Sequence, residues 1–187
     1  MAGLTPSQTV GPFFDFGLEI AGGDVVASPA AGGLHIVVHG SLHDGAGDPV
    51  PDAIIEVWQA NAAGRYRHPA DDRSTPLDDG CDGFGRVATT TAGRFTIHTV
   101  LPGRVPGPGP EQSQAPHLLI TVLARGLLTR LATRMYFADE PANDEDPILA
   151  MVPPERRGTL IARRTDPTTF AFDIVLQGPG ETVFFDV

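Results

Sequence analysis

Cysteine, tryptophan, tyrosine and basic residues are scarce in this chain. It has one cysteine, Cys81, among 187 residues, which excludes an internal disulfide framework. We find no charged-then-apolar leader and no apolar run of about 18 residues, so neither a signal peptide nor a transmembrane helix is predicted. We therefore expect the protein to reside in the cytoplasm.

Positive charge is also limited. The chain carries 13 basic and 23 acidic residues, a formal net charge of -10, so its surface should repel nucleic acid and anionic membranes. The sequence contains no G-x-S-x-G elbow, no P-loop, no G-x-G-x-x-G and no C-x-x-C. A small molecule or another protein is thus the expected partner.

The composition favours a β protein with many turns. Glycine (22) and proline (18) make up about a fifth of the chain, and short β-rich runs alternate with turn signals. We predict an all-β fold, an antiparallel β-sandwich, with one or two short helices within the segment 144–164. Residues 1–187 are predicted to form one domain, in which 1–32 are an extended arm.

The predicted strands are separated by two long loops. We expect strands within 33–42, 53–61, 117–124, 131–140, 168–178 and 181–187, and a hairpin of two strands around Ala92–Gly93. The loops, at 62–86 and 101–116, have no predicted element of their own. Loops of this length in a compact domain are usually functional or disordered.

Two residues beside these loops could bind a metal. Tyr66 lies between Arg65 and Arg67 in "GRYRH", and positive charge favours the phenolate form that binds ferric iron. His117 begins the apolar run "HLLITVLA", but no second histidine follows at i+2, the spacing that would aim two imidazoles at one ion. From spacing alone, a loop tyrosine with a packed ring is the better explanation of Tyr66, and His117 is a metal ligand, the remnant of one or a core residue.

Several long stretches resemble the intradiol ring-cleaving dioxygenases. The resemblance covers "TPSQTVGPFF", "EVWQANAAGRYRHP", "DGFGRVATTTAGRFTIHTVLPG", "APHLLITVLARG", "TRMYFADE" and "GETVFFDV", which is nearly the whole chain. It implies a β-sandwich that takes part in the cleavage of a small aromatic carboxylate by O2. It also implies that two similar chains, α and β, pair around a ferric ion held by two tyrosines and two histidines of the β chain.

Only half of that ligand pattern is present here. Tyr66 and His117 match a tyrosine and a histidine of the family, whereas Val105 and Leu119 stand where the second tyrosine and second histidine belong. Valine and leucine have no lone pair to donate, and one phenolate with one imidazole is a poor site for iron. We therefore expect no metal and no catalytic residue in this chain, and Fe(3+) bound by a homologous β chain.

The same resemblance implies a different role for this chain. Chains without iron complete the neighbouring pocket, with Thr9, Gly11 and Pro12 of the arm at the pocket wall. Arg125 of "ARG" is expected near the substrate carboxylate, which a guanidinium binds with a two-pronged fork. Two alternatives are a stand-alone dioxygenase with altered iron ligands and a β-sandwich interaction module without a catalytic contribution.

Overall fold

A computed structural model describes residues 9–11, 17–18 and 20–186. The strands are β1 (His35–His43), β2 (Ile54–Trp58), β3 (Phe84–Ala88), β4 (Arg94–Val100), β5 (Val105–Pro106), β6 (Ser113–Gln114), β7 (His117–Leu123), β8 (Leu131–Phe137), β9 (Ile161–Asp166) and β10 (Thr169–Val175). Within residues 20–186 the helices are short, as predicted: an α-helix, α1 (Pro154–Arg157), and three 3-10 helices at Pro141–Glu145, Leu149–Met151 and Gly158–Leu160. No helix among these residues is long and apolar enough to span a membrane.

Eight of the strands form one nearly closed sheet in the order β3-β2-β7-β8-β9-β10-β1-β4. Its two halves face each other as a sandwich, which confirms the predicted fold class. Two of the seven adjacent pairs, β1 with β10 and β8 with β9, are parallel, and the other five are antiparallel. The short strands β5 and β6 pair with each other inside the second long loop.

The main core lies between the two halves of the sandwich. Alternate side chains of β7 point into it, and Leu118, Ile120 and Val122 are all at most 2% exposed. From the opposite half, Phe170 and Phe172 of β10 fill the same layer. This period-two alternation sends the remaining β7 side chains to the outer face of the sheet, where the long loops and the short helices cover them.

Three sequence predictions about strands were wrong. The runs around Ala92–Gly93 do not form a hairpin, because β3 pairs with β2 and β4 pairs with β1. Residues 181–187 were predicted as a strand, and the described part of this segment, 181–186, makes only one isolated bridge, between Phe185 and Ala132. Strand β9 was not predicted, because helix signals precede it and four of its six residues are exposed.

Part of the predicted arm packs against the sandwich of its own chain. Val25 and Ala27 form isolated bridges with His98 and Cys81, and Val26 between them is fully buried in the main core. The segment before it is described only at residues 9–11 and 17–18. Within this segment, Thr9 accepts a hydrogen bond from the backbone N–H of Gly126.

Candidate functional site

The outer face of the sheet brings the predicted metal positions into one neighbourhood. Trp58 of β2 lies opposite Leu119 of β7, and Leu119 lies opposite Arg134 of β8. Residues directly opposite each other in antiparallel strands project from the same face. Trp58, Leu119 and Arg134 therefore form a row across three strands, and we call it the outer row.

Tyr66 lies above one end of this row. Its ring stacks parallel on Trp58, with 5.9 Å between centroids and 1° between planes. The turn before it requires Gly64, which has φ of 80° and whose added Cβ would collide with the carbonyl oxygen of Arg104. The Asp71 carboxylate holds the loop by accepting a 2.8 Å hydrogen bond from the Tyr66 backbone N–H.

The prediction that Arg65 and Arg67 favour the phenolate of Tyr66 was wrong. The Arg65 guanidinium donates to the carbonyl oxygens of Thr75 and Asp71, and Arg67 is directed toward acidic residues farther along the loop. Burial raises the pKa of Tyr66, and the charges of two other arginines oppose this rise only in part. Tyr66 is therefore a neutral phenol at neutral pH.

The four predicted metal positions do not share one cavity. Tyr66 and Val105 line a cleft of about 600 Å³, in which the Val105 side chain is 4% exposed. Leu119 and Arg134 of the outer row line a second cleft of about 600 Å³. His117 is not among the residues that line either cleft, because it is buried with its ring 5.8 Å from the ring of Tyr136.

His117 is held as a neutral core histidine. Its Nδ1–H donates to the carbonyl oxygen of Ala115 at 2.7 Å, and the side chain is 4% exposed. Burial, together with the smaller effect of the nearby positive charge of Arg134, lowers the pKa of His117 to about 4. Burial and this hydrogen bond hold the imidazole in one orientation, as expected for a residue of the core.

A polar network that sequence reasoning missed lies next to His117. Asp146 is fully buried, and its carboxylate accepts hydrogen bonds from the backbone N–H groups of Ala115, Ile148 and Leu149 and from the Tyr136 hydroxyl. Burial raises the pKa of Tyr136, so the hydroxyl stays protonated and can donate. The one sequence signal for this network is the alternation of Arg134 and Tyr136 along an otherwise apolar strand.

The residues present do not fit a ferric ion. Two of the four positions, Val105 and Leu119, lack donor atoms, and the two that have donors face different surroundings. Among residues 9–11, 17–18 and 20–186, no group of three or more histidine, cysteine, aspartate or glutamate side chains could hold a metal. Iron requires several oxygen or nitrogen donors at short range, and this part of the chain does not supply them.

A second region of interest lies at the turn between β7 and β8. The Gly126 N–H donates a 2.9 Å hydrogen bond to the Thr9 hydroxyl, across 117 residues of sequence. Arg125, beside it, is about half exposed and forms an ion pair with Asp52, with 3.3 Å between Nη2 and Oδ2. We call Thr9, Gly126 and Arg125 the arm–turn surface. Gly11 is exposed, and Pro12 lies outside the described residues.

The arm–turn surface and the predicted metal positions are at opposite ends of β7. His117 begins the strand and Leu123 ends it, and six residues at about 3.3 Å each separate these ends by about 20 Å. Arg125 lies beyond the far end. Arg125 therefore cannot reach a ligand bound between Tyr66 and His117 of its own chain.

Comparison with known proteins identifies the class. A family model described as "Dioxygenase" matches residues 11–178, and the chain belongs to this dioxygenase family. It is 44% identical to the protocatechuate 3,4-dioxygenase alpha chain of Burkholderia cepacia, over 98% of this chain and 97% of that one. The beta chain of the same organism is 39% identical, over 80% of this chain and 67% of its own length.

A solved structure agrees with these sequence relatives. The dioxygenase domain of a carbohydrate-binding fusion protein from Streptomyces sp. SirexAA-E has a TM-score of 0.63 and 25% identity, over 83% of this chain and 88% of that one. The resemblance to the intradiol ring-cleaving dioxygenases is thereby confirmed. The family is iron-dependent, and relatives of both alpha and beta type match this chain.

Proposed function

We propose that this chain is the non-metal alpha subunit of a protocatechuate 3,4-dioxygenase. In the assembled enzyme, a homologous beta chain binds Fe(3+), and this chain completes the substrate pocket. The reaction adds both atoms of O2 to protocatechuate and opens the ring between its two hydroxylated carbons. The product is 3-carboxy-cis,cis-muconate, and no proton transfer is assigned to a residue of this chain.

One observation carries this proposal. The chain matches an alpha chain at 44% identity over nearly its full length, while Val105 and Leu119 provide no donor where iron ligands are expected. A chain that keeps the fold but not the ligands can contribute to the reaction only through a partner that binds the metal. The pairing of alpha-type and beta-type relatives supports such a partner.

The arm–turn surface supports a role in a neighbour's pocket. Arg125 is about half exposed and follows the end of β7 that lies about 20 Å from His117, so any substrate that it contacts is bound outside the region between Tyr66 and His117 of its own chain. The contact between Thr9 and Gly126 holds the arm beside this arginine. A guanidinium and a threonine hydroxyl together suit a benzoate-type carboxylate, which Arg125 would orient for attack by O2.

Metal content and activity of the separate and combined chains test the proposal. We expect no stoichiometric iron and no oxygen uptake with protocatechuate in the lone chain. Co-expression with the beta chain encoded in the same organism should give a complex on gel filtration, with about one iron per pair and with ring cleavage. Iron and turnover in the lone chain would establish the stand-alone alternative, and an active beta chain unaffected by this one would leave only the interaction module.

Replacement of Arg125 tests the substrate contact. In the assembled enzyme, Arg125→Ala should raise KM for protocatechuate about 5- to 150-fold, because a charge-assisted hydrogen bond is worth about 1–3 kcal/mol, with iron content unchanged. Arg125→Lys should recover part of this loss. The matched control is Arg94→Ala, an exposed arginine at the start of β4. Equal KM values for wild type and Arg125→Ala would remove Arg125 from the pocket.

Two further parts of the proposal concern organisation and location. We propose that residues 1–187 form one domain whose arm, 1–32, contacts the beta chain, with Gly11 and Pro12 at the pocket wall. Removal of residues 1–12 should abolish turnover without loss of the folded sandwich, as measured by circular dichroism. A cytoplasmic location stays a prediction, and fractionation of the native cells tests it.

A further inference from the structure

We propose that the cleft beside Leu119 and Arg134 is a binding site for a small aromatic carboxylate, anchored by the Arg134 guanidinium. This site is separate from the arm–turn surface. The proposal does not depend on the proposed function, because it concerns a cleft formed entirely by this chain. Leu119 has no donor atom for a metal ion, and the side chain opposite it, Arg134, carries a permanent positive charge.

Arg134 lies beside the predicted metal positions. Arg134 lies directly opposite Leu119, one of the positions without a metal donor, and both belong to the outer row. Its charge reaches both remaining donor positions, since it lowers the pKa of Tyr66 and of His117. The cation of this neighbourhood is therefore a guanidinium, which is permanently charged at any pH of interest.

The bonds that Arg134 already makes leave its charge uncompensated. Nη1 donates to the Gln114 side-chain oxygen at 2.6 Å and to the Tyr136 hydroxyl at 3.3 Å, and both acceptors are neutral. No carboxylate lies within ion-pair distance of Arg134 in the part of the chain that the structure describes. The carboxylate beyond Tyr136, Asp146, is occupied by backbone N–H groups and the tyrosine.

Unused donors of Arg134 are accessible. A guanidinium has five N–H donors, and both hydrogen bonds above involve Nη1. Nε and Nη2 have no hydrogen-bond partner among the described residues and are not among the fully buried atoms that lack one, so both keep some contact with solvent. These two groups form the edge that grips both oxygens of a carboxylate in a two-pronged hydrogen bond.

The residues that line the cleft indicate which chemical group accompanies the carboxylate of the ligand. The cleft has a volume of about 600 Å³, within the range of small-molecule sites. Its lining is largely apolar and includes Leu119, Ala132, Ile148 and Phe185, and its charged members are Arg130, Arg134 and Asp186. Apolar walls with a net positive charge favour a flat apolar acid over an inorganic anion, because the ring buries surface while the carboxylate meets the Arg134 guanidinium.

Benzoate binding to the full-length chain tests the proposal. We expect isothermal titration calorimetry to detect benzoate binding, and benzamide, the neutral analogue of the same shape, to bind at least tenfold more weakly. Arg134→Gln should weaken benzoate binding at least tenfold, and Arg134→Lys should weaken it less. Arg94→Gln, which removes an exposed arginine of β4, is the matched control and should bind as the wild type does.

A second variant distinguishes loss of the binding site from loss of the fold. Ala132→Phe narrows the cleft without removing Arg134, and it should also weaken benzoate binding in a protein whose circular dichroism spectrum is unchanged. Several outcomes would overturn the proposal: equal binding of benzamide, which indicates an apolar groove only; full competition by equimolar inorganic phosphate, which indicates a general anion site; or binding lost in Arg125→Ala and kept in Arg134→Gln, which assigns the carboxylate to the arm–turn surface.

Discussion

The buried imidazole of His117 should make the stability of the chain depend on pH in a window that can be isolated. The folded protein lowers the pKa of His117 to about 4, whereas a histidine in an unfolded chain has a pKa of about 6.5. Between these two values the unfolded chain binds one more proton than the folded one. The stabilising contribution is therefore complete above pH 6.5 and is lost as the pH falls toward 4.

The size of this effect follows from the two pKa values. Each unit of difference corresponds to about 1.4 kcal/mol, so the full contribution of His117 is about 3 kcal/mol. At pH 5, where the unfolded imidazole is almost fully protonated and the folded one is neutral, about 2 kcal/mol is already lost. The interval from pH 7.5 to 5 is preferable to a lower one, because carboxylates titrate below it.

Urea unfolding at half-unit steps from pH 7.5 to 5 measures this loss. His117→Gln is the comparison, since glutamine can donate to the Ala115 carbonyl oxygen but does not titrate. Subtracting its free energy of unfolding from that of the wild type cancels the other titrating groups. The difference should shrink by about 2 kcal/mol as the pH falls. Parallel curves for the two proteins would refute the neutral, buried state of His117.

Three other changes test the packing described above. Asp146→Asn should cost about 2–4 kcal/mol of unfolding free energy, because a buried acceptor for three backbone N–H groups loses its charge and gains donors; urea unfolding measures it, and a cost below 1 kcal/mol would contradict the network. Phe170→Ala should cost about 3–5 kcal/mol, since the ring is fully buried and packs 5.0 Å from that of Phe137; thermal unfolding checks this. Gly126→Val should cost about 1–3 kcal/mol through its φ of 89° alone, because a Cβ there meets nothing within 4 Å. Gly126→Asn, which tolerates this conformation better, should cost less, and equal costs would point to a steric cause.

Strand identity was readable from the sequence, but strand pairing was less so. The alternation of Ile36 and Val38 in β1, both at most 2% exposed, fixes a strand with one buried face. The Ala92–Gly93 signal correctly marked a turn, and Gly93 has φ of 68°. A turn signal does not reveal whether the chain pairs with itself or crosses to the other half of a sandwich, and here it crosses.

Some features of the candidate site could likewise be predicted from the sequence, whereas others depend on strand pairing. The absence of donor atoms at the predicted metal positions Val105 and Leu119 is visible in the sequence, because it depends only on which residue occupies each position. The importance of Arg134 depends on β8 pairing with β7 in the register that places it opposite Leu119. Contacts between residues 15 apart in sequence come from that register, which is set by packing of the core.

Strand β7 connects two regions of the chain without coupling them. Its first half carries two of the predicted metal positions, His117 and Leu119, and its last residue leads to the arm–turn surface. Because the core-facing residues Leu118, Ile120 and Val122 fix the strand between them, a substitution near His117 does not displace Arg125. The two ends of the strand can therefore be mutated separately, and a variant at one end serves as a control for a variant at the other.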